Sequence, residues 1–363
     1  MKRTVLMIAV ICVFFSQGVN AAGLQDGVSA KSAVVYDADS GRILWEKASS
    51  QKMLIASTTK IMTALLAVEH CDLNEEVLIS REMTEVEGSS MYLRAGERYT
   101  VEELLYGLML ASGNDAATAL AIHISGNVSD FAVLMNRKAE ELQLHHTSFE
   151  NPHGLDGENH YSTAEDMAVL ASYAMKNPSF SKIVGTRNIS IHNQLYVNHN
   201  KLLWQYDGIT GIKTGYTKTA GRTLVSCCER NGRRLICVTL SASDDWNDHK
   251  KLYDWAYAAY EERIILEKNE RFHIPLMNGT DSTVCVMPET DVTAFLREDE
   301  TAEYIIELPR FVFGSVKQGD RAGQIVITLN NLPMGKVPLI YTETYKIDVE
   351  SPNGLLKLLK GLR

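Results

Sequence analysis

Three short runs carry side chains able to act on one another. In ASTTKIMTALL, residues 56–66, Ser57 and Lys60 stand three apart, a spacing that puts hydroxyl and amine on one face of a helix. A serine hydroxyl attacks poorly until a base takes its proton. A lysine serves as that base only when burial or a nearby cation lowers its pKa. A candidate cation lies in DGITGIKTGYT, where Lys213, Thr214 and Gly215 open a β-rich region and Gly215 would let a ligand backbone come close. Between the two stands Ser112-Gly113-Asn114, a serine suited to relaying a proton and an amide suited to gripping a peptide carbonyl. Each run also has a plainer reading. Ser57 could cap the helix that begins there, and Ser112-Gly113-Asn114 could be only a helix-end turn.

The surrounding pattern supplies elements to position them. SAVVYDADSGRILWEKA alternates around the turn signal Asp39-Ser40-Gly41 and predicts an early β-hairpin. From Ser57 to about Glu69, Ile61, Met62, Leu65, Leu66 and Val68 fall at helical spacing broad enough for burial on most sides. VEELLYGLMLAS predicts a second helix, with Thr100 and Glu103 as a capping box, and ALAIHIS and FAVLMNRKAEEL predict others. TAGRTLVSCCERNGRRLICVTLSA holds two β-rich runs about Asn231-Gly232, a strong hairpin signal. A helix is predicted after it, from about Asp245 to Glu262. Early hairpin and late strands would share one antiparallel sheet with the helices packed on it, an α+β catalytic domain over residues 22–265. Short strands in STVCVM, YIIELP, QIVITLNN and VPLIYTETYKI predict a small all-β domain over 266–350.

The termini read differently. Residues 1–21 join Lys2 and Arg3 to an apolar run and then small residues, the form of a cleaved secretory signal and too short to span a bilayer. Its loss takes two cations and no acid, moving the formal charge from -9 to -11. Such an acidic protein is ill suited to nucleic acid. The five remaining cysteines, Cys71, Cys227, Cys228, Cys237 and Cys285, do not form an even disulfide framework. One bridge between Cys227 and Cys237 would be possible across a turn, but buried free thiols are the expectation. In the tail, 351–363, Leu355, Leu356, Leu358, Leu359 and Leu362 share one side with Lys357 and Lys360 opposite, which suits a membrane surface.

Together, ASTTKIMTALL, LMLASGNDAA, NPHGLDGENHYSTAEDMA, NKLLW and DGITGIKTGYT resemble the low-molecular-weight penicillin-binding proteins, serine-type D-alanyl-D-alanine carboxypeptidases of peptidase family S11. The likeness covers nearly the whole mature chain. It implies a β-lactamase/transpeptidase-like fold and an extracytoplasmic enzyme that trims peptidoglycan stem peptides and is acylated by β-lactams, with no cofactor or metal. It assigns Ser57 as nucleophile, Lys60 as base, Ser112 as proton carrier to the leaving D-alanine and Asn114 as holder of the substrate amide. Lys213 and Thr214 would face the terminal carboxylate, with Gly215 beside them, and the backbone N–H groups of Ser57 and Tyr216 would hold the oxyanion. Where some relatives have an arginine, this chain has His199, whose help with the carboxylate would depend on pH.

Two other readings remain to be distinguished. A β-lactamase would use the same serine and lysine with an added carboxylate to direct deacylating water, but it has no evident use for the β domain. A non-catalytic wall-binding or penicillin-sensing module would need none of the reactive groups. The ten histidines show no H-E-x-x-H, and the run from His153 to His160 is read as a structured loop entering a helix capped by Ser162 or Thr163.

Overall fold

The computed structural model describes residues 22–277 and 283–346. The expected leader over 1–21, with Cys12, and the expected tail over 351–363 lie outside the described residues. The chain divides into two units between Ala256 and Tyr257.

The first unit is built on a five-stranded antiparallel sheet in the order Arg42–Lys47, Ser32–Asp37, Arg233–Ala242, Gly221–Arg230, Ile209–Thr217. The early hairpin and the late strands do share one sheet. Ser32 stands opposite Leu240 in the register. Asn231 and Gly232 take φ values of 52° and 74°, the left-handed pair that lets a two-residue turn follow the twist of its strands.

Helices fill the middle of the chain. Lys60–His70 buries Ile61, Met62, Leu65 and Leu66 on one large core, and Lys60 and Thr63 are buried too, so the helix is enclosed on most sides as its pattern predicted. Val101–Leu110 opens on the expected box, with the Thr100 N–H donating to Glu103 Oε2 at 2.8 Å and the Glu103 N–H to Thr100 Oγ1 at 3.2 Å. Asn114–Ser125 and Val128–Glu141 follow. Thr163, rather than Ser162, caps Ala164–Ala174.

All five described cysteines are free. Register forbids the Cys227–Cys237 bridge. Cys227 pairs with Ile236 and Cys237 with Ser226, and a one-residue offset sends the two thiols to opposite faces of the sheet.

The helix expected to reach Glu262 stops earlier, at Asp245–Ala259. Tyr260–Leu266 is instead a strand paired with Val292–Arg297, where Tyr260 stacks on Phe295 with ring centroids 5.4 Å apart. This partner lies far along the chain, so local periodicity did not reveal it, and the second unit begins upstream of the expected boundary at 265/266. Its main sheet runs Phe272–Pro275, Thr283–Pro288, Leu332–Tyr341, Arg321–Leu329, Glu303–Glu307, all antiparallel. Val292, Leu296, Ile325 and Leu339 form one small core and Ile274, Val284, Val286 and Tyr341 another.

Candidate active site

A tight 3-10 turn over Ala56–Thr59 leads into the helix Lys60–His70. Ile55, not Ser57, occupies the cap position, and no side chain caps the turn; the capping reading of Ser57 is therefore wrong. Ala56 holds a φ of 47°, a left-handed conformation uncommon for a residue with a side chain, and this bend presents Ser57 to a cleft of about 440 Å³. Gly215 proves to be glycine for a different reason than expected. A Cβ there would lie 2.4 Å from Thr223 Oγ1 and 2.9 Å from the Ser57 nitrogen, so the backbone it admits is that of the nucleophile turn itself. Gly215 nevertheless lines the cleft.

The lysine is the chemical centre. Lys60 is fully buried, with Nζ 3.0 Å from Ser57 Oγ, 2.7 Å from Asn114 Oδ1 and 2.6 Å from the His153 carbonyl oxygen. Asn114 Nδ2 donates to the Glu87 carbonyl at 2.6 Å, which fixes which end of the amide faces the lysine. Two of the three neighbours can therefore only accept. A neutral amine has two N–H bonds and one lone pair; with both hydrogens given to Asn114 and His153, the lone pair is left for the Ser57 hydroxyl. Burial first, and the charge of Lys213 second, lower the Lys60 pKa well below its ordinary value, while Asp115 pulls the other way.

Ser57, Ser112, Thr214, Gly215, Tyr216 and His199 all face the cleft. Ser112 takes a φ of 59° and is not among the three partners of Lys60 Nζ. Lys213 lies buried behind this wall, donating to the Thr214 carbonyl at 3.1 Å, and burial lowers its pKa to about 7. Burial, then Lys213, also lowers the pKa of His199, which makes its ring a neutral hydrogen-bonding group near neutrality rather than a charge. The Tyr216 side chain is exposed. Asn114 is buried, with both ends of its amide engaged inside the protein, so its expected grip on a substrate carbonyl requires the Glu87 bond to be exchanged.

The loop 151–160 is where sequence reasoning fell short. Gly154 has a φ of +88°, and a Cβ there would fall 1.9 Å from the Ala56 carbonyl oxygen, so the loop rests directly on the nucleophile turn. Thr63 Oγ1 donates to the Pro152 carbonyl at 2.6 Å. His160 Nδ1 accepts from the Glu150 N–H at 3.0 Å, which leaves its Nε2–H to donate to Thr59 Oγ1 at 2.7 Å. Burial lowers the His160 pKa to about 4 and that of His153 to about 3, so both rings are neutral. On the opposite side, Asp115 accepts from Ser90 Oγ and from the Met91 and Leu93 N–H groups at 2.6, 3.0 and 3.0 Å, tying that segment to the start of Asn114–Ser125. Only the backbone-permissive Gly154 beside Pro152 and His153 hinted at this buttress.

Residues 19–244 match the family described as D-alanyl-D-alanine carboxypeptidase, and residues 260–346 match the C-terminal domain of penicillin-binding protein 5. The chain is 32% identical to D-alanyl-D-alanine carboxypeptidase DacF of Bacillus subtilis, over 95% of each chain. It is 35% identical to D-alanyl-D-alanine carboxypeptidase DacB2 of Mycobacterium tuberculosis, over 67% of this chain and 87% of that one. Among solved structures, penicillin binding protein 5 from Haemophilus influenzae aligns with a TM-score of 0.71 and 28% identity, over 88% of this chain and 98% of that one.

Proposed function

The chain belongs to the D-alanyl-D-alanine carboxypeptidase family, and from that premise we propose the part each residue plays. The enzyme removes the terminal D-alanine of peptidoglycan stem peptides through a serine acyl-enzyme and binds penicillin, as is general in this family. Ser57 Oγ attacks the scissile carbonyl as its proton passes to the Lys60 lone pair. The C–O bond forms, and the N–H groups of Ser57 and Tyr216 hold the oxyanion. Ser112 carries the proton onward to the departing amine as the C–N bond breaks. Water then attacks the ester carbonyl as its proton passes to Lys60; the bond to Ser57 Oγ breaks, Lys60 hands that proton to Oγ, and the shortened peptide leaves with Ser57 and Lys60 restored. Thr214 receives the terminal carboxylate, aided by the neutral His199 ring and, from behind the cleft wall, by the charge of Lys213, and Asn114 holds Lys60 in place until substrate arrives.

The observation that carries this reading is the donor count at Lys60 Nζ: two neighbours that only accept and one hydroxyl. The test incubates purified protein with a pentapeptide ending in D-alanyl-D-alanine and measures free D-alanine. Ser57→Ala should lose at least about 1000-fold, since the cooperating groups fail together. Lys60→Arg should also be inactive, because arginine does not deprotonate. Near-normal turnover by either variant overturns the assignment.

We further place the enzyme outside the cytoplasmic membrane, on the strength of the leader-like residues 1–21, with the leucine-rich face of 351–363 resting on the membrane surface. Separation of wild-type protein and a variant ending at residue 350 on sedimented anionic vesicles tests the second point. Equal binding of the two removes it.

A further inference from the structure

Cys71, Glu75 and His123 lie apart from the catalytic cleft and come from three segments. Cys71 closes the helix Lys60–His70, its N–H donating to the Ala67 carbonyl at 3.1 Å. His123 sits in the last turn of Asn114–Ser125. Glu75 lies in the short loop that runs from Cys71 to the strand Glu76–Leu78. Their ligand atoms, one thiol sulfur, one imidazole nitrogen and one carboxylate oxygen, all fall within 4.8 Å of one another. We propose that this cluster is a binding site for a zinc-class divalent cation.

The donor set and the spacing support the choice. Thiolate, imidazole and carboxylate together match zinc and its close analogues, whereas magnesium and calcium take oxygen alone. His123 Nε2 and Glu75 Oε1 stand 3.2 Å apart. Two bonds of about 2.05 Å at a tetrahedral angle span roughly 3.3 Å, so this pair already has the edge length of a zinc tetrahedron. The sulfur lies within 4.8 Å of both atoms, against the roughly 3.5 Å that a bond of about 2.3 Å to sulfur would set, so it has up to about 1 Å to close. The Glu75 side chain is 49% exposed, which leaves the fourth position to water. The loop is preset by its backbone: the N–H groups of Val101 and Glu102 donate to the Glu75 and Leu73 carbonyls, both at 2.9 Å.

Binding forms the metal–sulfur bond and releases the thiol proton to solvent, with no change in oxidation state. The site ties together the far ends of two helices whose near ends carry Lys60 and Asn114. The eleven-residue helix that begins at Lys60 ends just before Cys71, an axial rise of about 16 Å, so the cation acts on the stability of the helical layer and not on the reaction. The proposal is independent of the catalytic roles assigned above.

The test titrates reduced full-length protein with cobalt(II) as a spectroscopic stand-in for zinc. The expected result is a thiolate-to-cobalt charge-transfer band that saturates at one equivalent, disappears in Cys71→Ser and needs at least about tenfold more metal in His123→Ala. Zinc should raise the melting temperature of the wild type and not of Cys71→Ser, and magnesium should do neither. The other four described cysteines are buried, and loss of the band in Cys71→Ser assigns it to that thiol. A wild-type protein that shows neither band nor thermal shift overturns the proposal, as does a Cys71→Ser variant that keeps both. D-alanine release should be unaltered by zinc, so a failure here is separable from a failure of the catalytic assignment.

Discussion

Replacing Gly154 with alanine tests whether the loop over the nucleophile turn belongs to the catalytic geometry. The added methyl would lie 1.9 Å from the Ala56 carbonyl oxygen and 2.4 Å from its carbon. Non-bonded heavy atoms settle near roughly 3.5 Å, so the loop or the turn must retreat by about 1.5 Å. If the loop moves, the His153 carbonyl leaves Lys60 Nζ, now 2.6 Å away, and the amine regains a free hydrogen. If the turn moves, Ser57 shifts. Either displacement should slow acylation by about 100-fold, the usual effect of an ångström of misplacement. The left-handed φ adds about 1–2 kcal/mol of destabilisation, and the clash about 1–3 kcal/mol. Gly96→Ala separates these, because Gly96 has a φ of +92° and a methyl added there would meet nothing within 4 Å. The assay compares labelling by a fluorescent penicillin with thermal melting for both variants. Gly96→Ala should melt earlier and label normally. A folded Gly154→Ala that labels within about threefold of the parent refutes the reasoning.

Removing the second cation by Lys213→Ala should raise the Lys60 pKa, because a like charge disfavours the ammonium. The acidic limb of the kcat/KM profile should then move to higher pH; a limb that stays in place or moves lower removes Lys213 from the tuning. His153, His160 and His249 have folded pKa values of about 3, 4 and 3, below the ordinary 6.5. All three are neutral in both states above pH 6.5, so stability is whole there. As pH falls below 6.5 the unfolded chain takes protons that the folded one refuses, and stability is lost toward pH 4 at up to about 4 kcal/mol per pH unit. Urea unfolding between pH 6 and 4.5 measures this slope. His249→Asn should reduce it by about one third, and an unchanged slope contradicts the assignment.

The main architecture was readable because its signals are local. Alternation about Asp39-Ser40-Gly41 and Asn231-Gly232 marks hairpins, the Thr100 and Glu103 pair marks a helix start, and Ser57 and Lys60 share a turn. The misses are non-local. Tyr260–Leu266 became a strand because of Val292–Arg297, a partner no window around residue 260 contains. The contribution of His153 is a backbone carbonyl, which any residue type would offer, so composition carried no trace of it. Gly215 was expected to admit a ligand backbone, and the backbone that comes close to it here is that of Ser57. Asn114 was expected to grip a substrate carbonyl, while its bonds to Lys60 and Glu87 depend on a fold that brings distant segments together.

The pairing of Ser32 with Leu240 has a consequence for how this protein is made. The first two strands of the central sheet, Ser32–Asp37 and Arg42–Lys47, gain no further neighbour until Arg233–Ala242 is made, and such long-range closure is slow to nucleate. The helices in the middle of the chain are therefore synthesised before the sheet can close, and the last strands to be made complete the layer.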